Sequence, residues 1–363
     1  MAGLPKRIVT VAPHFEEYAL RLATALAEQA DVLLILDTGV LDAEFIGRER
    51  PAHPRLTIGH NRFRTLRELV RLITEIRRFR PDVLHWQEPS GFIKAAFAAA
   101  TLTLARGRMR TAITIHDPVP HAGRDWRVAA RLAWLRRYAR RRVDRLFLHG
   151  PACVAQYQHD YLGTATPDPR VRLTEHGVLL PPDTPTALPA TFRALMFGRM
   201  EAYKGLETLT RALEILADQG RAVAVEVAGT GPELDRLEER LHALPDVTVS
   251  NGFVPAARLG ERIAAASCIL LPYTEASQSG VLAAAFANGR FAIVTAVGGL
   301  IDLAEDGVNA LLIPANDPEA LAAALTRAAG DAALRQRLSA GACHTARTRL
   351  DWSSIAARLL SDY

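Results

Sequence analysis

Residues 197–207 read Phe197-Gly198-Arg199-Met200-Glu201-Ala202-Tyr203-Lys204-Gly205-Leu206-Glu207. The apolar residues that end at Phe197 predict a strand, and the amphipathic pattern that begins at Leu206 predicts a helix. Where a strand ends in a glycine turn and a helix begins, free backbone N–H groups and the helix dipole attract anions. Arg199 and Lys204 add two positive charges at this turn. The segment therefore predicts a strand–turn–helix unit that grips a diphosphate.

The same alternation of strand and helix extends over the whole chain. Short apolar runs predict strands at Arg7 to Val11, Val32 to Leu36, Val83 to Trp86, Thr111 to Ile115, Arg145 to Leu148, Ala194 to Phe197, Val223 to Val227, Val247 to Val249, Cys268 to Leu271, Ala292 to Val294 and Ala310 to Ile313. Apolar residues spaced three and four apart predict helices between them, such as Glu16 to Gln29, Arg64 to Arg80 and Arg124 to Arg142. We therefore predict an α/β fold with doubly wound, Rossmann-like parallel sheets.

A proline-rich stretch interrupts this alternation. Residues 179–189 read LLPPDTPTALP and contain four prolines, which is typical of a linker. We predict an N-terminal Rossmann-like domain at residues 1–180 and a C-terminal one at residues 181–350, facing each other across a central cleft. The last residues, 351–363, predict an amphipathic helix that can pack back on either domain, with the N-terminal domain as one possibility.

The composition indicates a globular protein with an anionic partner. An apolar fraction of 49% over 363 residues suffices for two packed cores. The net charge of +5 and the pI near 9.4 favour a nucleotide sugar, a nucleic acid or an anionic lipid. Only the pI favours nucleic acid, so we expect none. Arginine supplies nearly all the positive charge, and of the only lysines, Lys6, Lys94 and Lys204, we expect the first two at the surface.

The sequence also indicates the cellular location of the protein. No apolar stretch reaches the roughly 18 residues of a spanning helix, and the start of the chain lacks the apolar region of a secretory signal. Cys153, Cys268 and Cys343 share no metal-binding spacing and are typical of buried thiols in a cytoplasm. We expect a cytoplasmic protein, at most peripheral at the inner face of the membrane, with no bound metal or cofactor.

Several motifs resemble those of the retaining glycosyltransferases of family four, which have the GT-B fold. The segment from Gly198 to Gly205 is similar to the family's G-R-x-x-x-x-K-G motif. Residues 227–232, VAGTGP, resemble its V-x-G-x-G-P turn near the donor, and residues 251–254, NGFV, resemble the turn that frames the nucleotide base. Residues 295–300, TAVGGL, match its T-x-V-G-G-L block. The resemblance implies transfer of a hexose from a nucleoside-diphosphate sugar to a hydroxyl group, with retention of configuration.

The loop at residues 272–282 departs from the family's pattern. Most members have two glutamates eight positions apart in this region, one near the sugar and one on the ribose. Ala276 and Ala284 occupy these positions here. Glu275 lies one place from the first and is expected to replace it, whereas no residue replaces the second. The loop resembles a branch of the family with an A-S-Q-S-G-V sequence, so we expect a variant grip on the donor.

The first half contains a second cluster of candidate residues. The run His-Asp-Pro-Val-Pro-His follows a predicted strand, at the edge where open α/β sheets bind ligands. Its His116 and Asp117 resemble the family's H-D pair, in which the histidine contacts the transferred sugar. We expect His121, at the end of the run, to meet the acceptor. Glu88 and His14 follow two other predicted strands, and we expect them on the acceptor side as well.

The resemblance implies three sets of site residues. The catalytic set is His116, Asp117, Arg199, Lys204 and Glu275. The donor-binding set is Gly198, Arg199, Lys204, Gly229, Gly231, Phe253, Val254, Ser277, Gln278, Ser279, Gly280 and Val281. The acceptor-binding set is His14, Glu88 and His121. Arg199 and Lys204 would neutralise the departing diphosphate, so we expect that no metal ion is required.

Two arginine-rich helical patterns are candidates for contact with an anionic bilayer, where a lipid-linked saccharide acceptor would be found. One is Arg64 to Arg80. The other, Arg124 to Arg145, interleaves aromatic and basic side chains: Trp126, Arg131, Trp134, Arg136, Arg137, Tyr138, Arg140 and Arg141. The alternative interpretation of both patterns is a solvated surface helix.

Other functions also fit these motifs. The alanines at the two glutamate positions favour a catalytically silent subunit that binds a nucleotide sugar. A GT-B epimerase or phosphorylase is a further alternative, although a phosphorylase usually has a pyridoxal-binding lysine in its C-terminal half, where Lys204 is the only lysine. A nicotinamide dehydrogenase is disfavoured because the first strand is followed by Ala-Pro-His and not by G-x-G-x-x-G.

Overall fold

The structure is a computed structural model that describes residues 6–37, 49–118, 134–163, 166–179, 186–276 and 279–363. The chain divides into two compact units. Unit 1 comprises Met1–Phe45, Glu49–Gly177 and Trp352–Tyr363, and unit 2 comprises Ile46–Arg48 and Val178–Asp351. Each unit is built around one parallel sheet with Rossmann-like strand order, so the predicted fold class is confirmed.

Unit 1 has a seven-stranded sheet. Its strands are β1 (Arg7–Ala12), β2 (Asp31–Leu36), β3 (Leu56–His60), β4 (Val83–Gln87), β5 (Arg110–Ile115), β6 (Arg145–His149) and β7 (Val171–Thr174). They pair in parallel in the order β3-β2-β1-β4-β5-β6-β7. The helices described between them are α1 (Glu16–Ala27), α2 (Leu66–Phe79), α3 (Phe92–Ala105) and α4 (Gly150–Gln156), which continues as a π-helical segment, Tyr157–Leu162. Residues 134–141 are also helical.

Unit 2 repeats this plan with six strands. They are β8 (Ala194–Arg199), β9 (Val225–Thr230), β10 (Val247–Asn251), β11 (Cys268–Leu271), β12 (Phe291–Thr295) and β13 (Ala310–Ile313). The sheet order is β10-β9-β8-β11-β12-β13. Its helices are α5 (Leu206–Asp218), α6 (Pro232–His242), α7 (Ala256–Ala265), α8 (Gly280–Ala287), α9 (Pro318–Gly330) and α10 (Ala332–Arg349). Across the described ranges, no helix is long and apolar enough to cross a membrane.

The last helix, α11 (Trp352–Asp362), belongs to unit 1 and packs on α1 and β7. The Trp352 ring lies against Gly177, where an added Cβ would come within 2.4 Å of it. Beyond the helix, the Tyr363 hydroxyl is hydrogen-bonded to Nδ1 of the buried His85 in β4. The C-terminal residues thus complete the core of unit 1.

Two strands of unit 1, β3 and β7, are absent from the sequence prediction. Both are edge strands, and most of their side chains are half-buried or exposed. The central strands are buried on both faces and have the continuous apolar runs that this requires. Because an edge strand needs no such run, its sequence resembles that of a loop.

Candidate functional site

The predicted anion-binding segment lies at the carboxyl edge of the unit 2 sheet. The strand order reverses between β8 and β11, and such a reversal leaves a crevice in which open α/β sheets bind ligands. Arg199 is the last residue of β8, and Lys204 ends the 3-10 turn that follows it. The two predicted cations therefore lie at the reversal point.

The Lys204 ammonium group is held between two aromatic rings. It donates a hydrogen bond to the Tyr273 hydroxyl at 2.7 Å, and it lies 4.0 Å from the Tyr273 ring centroid and 5.2 Å from that of Tyr203. Tyr273 follows β11 and is only 2% exposed. Burial, together with the positive charge of Arg199, lowers the pKa of Lys204 to about 8. Since no carboxylate of the described residues pairs with Lys204, the site favours an added anion.

Two motif glycines allow the close backbone contacts of this site. Gly205 has a φ of 71°, and a Cβ there would lie 1.8 Å from the carbonyl oxygen of Pro272. A Cβ on Gly229 would lie 1.9 Å from the carbonyl oxygen of Gly198. Only glycine fits at either position. The glycines thus allow the carboxyl ends of β8, β9 and β11 to lie close together around the cations.

A cavity of about 150 Å³ lies beside this turn. Its walls are the ends of β8 and β9 and the segment that follows β10. Phe253 in that segment is 85% exposed, so its ring face is available to a flat ligand such as a base. The cavity brings together five residues of the predicted donor set: Gly198, Arg199, Gly229, Phe253 and Val254. Gly231, also of that set, starts α6 at the same edge.

The loop after β11 contains the rest of the donor set. Ser277 and Gln278 lie outside the described residues. Ser279 accepts a hydrogen bond at 3.3 Å from a backbone N–H of α8, whose first turn contains Gly280 and Val281. The N-terminus of α8 therefore lies at the carboxyl edge of the sheet, where it favours an anion.

The two alanines at the glutamate positions differ in their surroundings. The carbonyl oxygen of Ala276 accepts a hydrogen bond from the Gly299 N–H at 2.9 Å. Ala284 is 1% exposed and packs in the apolar core of unit 2. Glu275, which precedes Ala276 in the chain, is exposed. The methyl group of Ala284 offers no acceptor to a ribose.

The predicted acceptor residue His14 lies at the reversal point of unit 1, between β1 and β4. Its Nε2 lies 2.8 Å from the Ser90 hydroxyl oxygen, and burial lowers the pKa of His14. Nearby, Lys94 forms an ion pair with Asp37 at 2.7 Å and donates a hydrogen bond to the carbonyl oxygen of Pro13. Lys94, which we expect at the surface, is held half-buried against the loop by this pair.

Glu88, also assigned to the acceptor, is engaged within unit 1. Both of its carboxylate oxygens accept hydrogen bonds from Arg140 at 2.6 Å, and the Tyr161 ring lies 4.3 Å from that guanidinium group. The expectation that Arg140 faces a bilayer is wrong, because only 1% of it is exposed. The third acceptor residue, His121, lies outside the described residues.

His116 follows β5 and is only 3% exposed. Its Nε2 lies 2.9 Å from the side-chain oxygen of Gln87. Phe15, whose backbone is left-handed with a φ of 59°, stacks on the imidazole at 4.0 Å. Burial lowers the pKa of His116 well below 6.5, so the ring is neutral near pH 7. Asp117 follows, half-buried, at the mouth of β5.

His116 belongs to a cluster of buried rings. The Tyr18 ring lies 4.9 Å from that of His116, 5.6 Å from that of His149 and 5.2 Å from that of His176. Burial lowers the pKa of His149 to about 3 and that of His176 to about 4. The cluster is therefore uncharged near pH 7.

Sequence reasoning assigned no role to Tyr273, Phe15 or Tyr18. Tyr273 stands two residues after a predicted strand, which is a signal for the site, but its contact with Lys204 spans 69 residues. Phe15 and Tyr18 are aromatic residues near a strand end, a pattern that is equally typical of a core. In the ranges that the structure describes, no three His, Cys, Asp or Glu side chains are grouped so as to hold a metal ion.

Two family models match the chain, one in each half. Residues 15–179 match Glycosyltransferase Family 4, and residues 191–331 match Glycosyl transferases group 1. The first match contains His116 and Asp117, and the second contains Arg199 and Lys204. The motifs that carry the resemblance thus fall within the matched segments.

The chain is also similar to individual proteins of known sequence or structure. The D-inositol 3-phosphate glycosyltransferase of Xylanimonas cellulosilytica is 34% identical over 187 residues, which are 51% of this chain and 43% of the relative. The match thus spans less than half the length of that curated relative. Among solved structures, Anabaena HepE in complex with UDP-glucose is 16% identical, with a TM-score of 0.72 over 98% of this chain and 100% of that one. Sucrose-phosphate synthase of Thermosynechococcus elongatus is 19% identical, with a TM-score of 0.75 over 98% and 97% of the two chains.

Proposed function

Because the chain belongs to the group 1 and family four glycosyltransferases, we propose that it transfers a hexose from a nucleoside-diphosphate sugar to a hydroxyl group. The proposed reaction retains the anomeric configuration, and the acceptor is a glycan, a lipid-linked saccharide or a small molecule. The observation that carries the proposal is the position of Lys204. Its ammonium group is fixed by Tyr273 beside Arg199, at the point where an α/β sheet binds ligands.

The chemistry of this site follows from its charges. In the transfer, the bond between the anomeric carbon and a phosphate oxygen breaks, and negative charge accumulates on the departing diphosphate. Arg199 and Lys204 offset that charge, and an interaction that strengthens in the transition state accelerates the reaction. Binding of the diphosphate also raises the pKa of Lys204 above its value of about 8 in the free protein, because a nearby anion favours the ammonium form. The proposal assigns no role to a metal ion.

The donor that we propose to test first is a uridine diphosphate sugar. The support for this choice is that HepE, which shares the fold, was solved with UDP-glucose. The cavity beside Phe253 would take the base, and the turn at Arg199 and Lys204 would take the diphosphate. We also propose a cytoplasmic location with at most peripheral contact with a membrane.

The remaining assignments in unit 1 are part of the same proposal. His116 and Asp117 would face the transferred sugar, and His14 and His121 would meet the acceptor. Since Arg140 already binds both oxygens of Glu88, Glu88 is the weakest of these assignments. His116→Ala should lower even acceptor-independent hydrolysis of the donor, whereas His121→Ala should spare it. Full transfer activity in both variants would show that these histidines are structural.

The central experiment compares turnover of UDP-, GDP-, ADP- and TDP-sugars by the wild type and by single variants. Arg199→Ala and Lys204→Ala should each raise the barrier by roughly 2 to 4 kcal/mol without unfolding the protein. Lys204→Arg should also be impaired, because a planar fork and an ammonium group do not fit the same phosphate. The matched control is Arg327→Ala, which removes an exposed charge from α9 in the same unit.

Two results would contradict the proposal in different ways. Unchanged turnover in both Arg199→Ala and Lys204→Ala would remove the diphosphate assignment. Binding of a nucleotide sugar with no turnover by the wild type would favour the silent subunit, for which Ala276 and Ala284 are the supporting observation.

A further inference from the structure

Helix α2 concentrates the positive charge of the protein. Residues 62–80 contain seven arginines and two glutamates, so this segment carries a charge of +5, equal to the formal net charge of the whole chain. Glu68 is occupied in the capping box at the start of the helix, and Glu75 lies half-buried beside Gly59. The two acidic side chains therefore do not neutralise the outer face of the helix.

The outer face of α2 combines arginines with exposed aliphatic side chains. Arg67, Arg71 and Arg78 recur at helical spacing, and all three are exposed. Within the described part of the chain, none of the three forms an ion pair with a carboxylate. Leu66 and Val70, one turn apart on the same side, are 75% and 55% exposed. The opposite side of the helix packs into the core through buried residues such as Leu72.

We propose that this basic face of α2, formed by Leu66, Arg67, Val70, Arg71 and Arg78, rests on an anionic lipid bilayer. The guanidinium groups would bind lipid phosphates, and the two aliphatic side chains would enter the boundary of the acyl chains. The inference concerns where the proposed transferase meets its acceptor, and in that respect it rests on the proposed function.

Charge and shape favour a bilayer over other occupants of this face. A second copy of the chain would bring the same positive face against itself, which is repulsive. A nucleic acid would use the arginines but would leave Leu66 and Val70 in water. In the other candidate surface, Arg124 to Arg145, residues 124–133 lie outside the described residues, and in the described part Arg140 is buried and Tyr138 is half-buried.

The test is cosedimentation of the full chain with vesicles. One set contains equal parts of phosphatidylglycerol and phosphatidylcholine, and the other contains phosphatidylcholine alone. The wild type should bind the first set and not the second. The triple variant R67Q/R71Q/R78Q should lose about fivefold in partitioning for each arginine removed. The variant L66Q/V70Q, which keeps the charge, should lose several-fold as well.

The matched control is R327Q/R337Q/R347Q, which removes three exposed arginines from α9 and α10 in unit 2. Both triple variants lower the net charge from +5 to +2, so they differ only in where the charge is lost. The control should bind vesicles as the wild type does. Glutamine is a good helix former, and therefore neither variant should lose its helix.

Three outcomes would overturn the proposal. The first is that the wild type does not bind the anionic vesicles. The second is that the control triple variant loses as much vesicle binding as R67Q/R71Q/R78Q. The third is that L66Q/V70Q binds fully and double-stranded DNA competes with the vesicles, which would indicate a polyanion site. Binding of UDP without vesicles is measured in parallel and should be the same in all four proteins. Failure to bind UDP with intact vesicle binding would therefore reject the proposed function and leave the bilayer contact standing.

Discussion

The candidate sites of the two units are built in different ways. In unit 2, Arg199, Lys204 and Gly205 come from one short stretch, to which Gly229 is added from β9 and Tyr273 from the segment after β11. In unit 1, Tyr18 of α1 is surrounded by rings from the ends of β5 and β6, the segment after β7, and α11. A site made from consecutive residues is visible in a sequence, whereas one assembled from five elements is not.

The two regions also respond to pH in opposite directions. Unit 1 buries neutral histidines that bind protons only in the unfolded chain. Its unfolding free energy therefore falls as the pH falls below 6.5. Unit 2 holds a lysine whose lowered pKa makes it lose its charge in mild alkali. The comparison can therefore be tested by changing one unit at a time.

The largest expected effect on stability comes from adding a side chain to a motif glycine of unit 2. Gly205→Ala should cost more than about 4 kcal/mol of unfolding free energy, because its Cβ would overlap the Pro272 carbonyl oxygen. Gly220→Ala is the matched control, with a φ of 67° and no atom within 4 Å of the added Cβ. It should cost only about 1 kcal/mol.

Urea unfolding followed by circular dichroism measures both glycine variants. Trp86, Trp134 and Trp352 belong to unit 1, and Trp126 lies outside the described residues. Tryptophan fluorescence is therefore used to follow unit 1 separately. Gly205→Ala should shift the dichroism transition and leave the fluorescence transition in place. If the two glycine variants lose the same free energy of unfolding, the close approach of Gly205 to Pro272 does not restrict the residue at position 205.

The next effect is the loss of stability of unit 1 in acid. His85 and His149 have folded pKa values of about 3, and His176 has one of about 4. Between the ordinary value of 6.5 and these values, the unfolded chain binds protons that the folded chain does not, so stability falls as the pH falls. From pH 7 to 5.5 each of these three histidines should cost about 1.2 kcal/mol of unfolding free energy.

Tryptophan fluorescence during urea unfolding checks this acid effect. The variant His149→Phe keeps a ring in the cluster but removes one titrating group, so the loss of unfolding free energy between pH 7 and 5.5 should be smaller by about 1.2 kcal/mol. A fluorescence transition that does not move between pH 7 and 5.5 would contradict the neutral, buried state of these histidines.

A smaller effect, on UDP affinity, is expected when the hydrogen-bond partner of Lys204 is changed. Tyr273→Phe keeps the ring beside Lys204 but removes the hydrogen bond at 2.7 Å, so UDP binding should weaken by about 1.5 kcal/mol. Tyr203→Phe is the control, because it keeps both rings and the Tyr273 hydroxyl. If the two variants bind UDP equally well, the Tyr273 hydroxyl does not position the lysine.

The smallest effect concerns the ribose. Because Ala284 offers no acceptor, UDP and its 2′-deoxy analogue should differ by less than about 0.5 kcal/mol in calorimetric titration. A penalty of about 1 to 3 kcal/mol for the analogue would show that Glu275 or another group binds the ribose hydroxyl.

The sequence predicts the buried parts of this molecule better than its edges and its long-range contacts. The fold class follows from continuous apolar runs, and the family follows from motifs around Lys204 and His116. The burial of Arg140 and the pairing of Lys94 could not be predicted, because each depends on a carboxylate far away in the chain. The tyrosine contact of Lys204 was hidden for the same reason.

The most direct test of the central claim is calorimetric titration of UDP across the pKa of Lys204. Since a neutral amine does not attract a diphosphate, the affinity of the wild type should fall as the pH rises from 7 to 9, by up to about tenfold per pH unit above 8. Lys204→Ala should bind weakly, and Lys204→Arg should keep its charge, so neither should show this fall. Any titration of UDP itself is common to all three proteins. A wild-type affinity that stays constant over this range, or that equals that of Lys204→Ala at pH 7, would contradict the assignment of this site to the diphosphate.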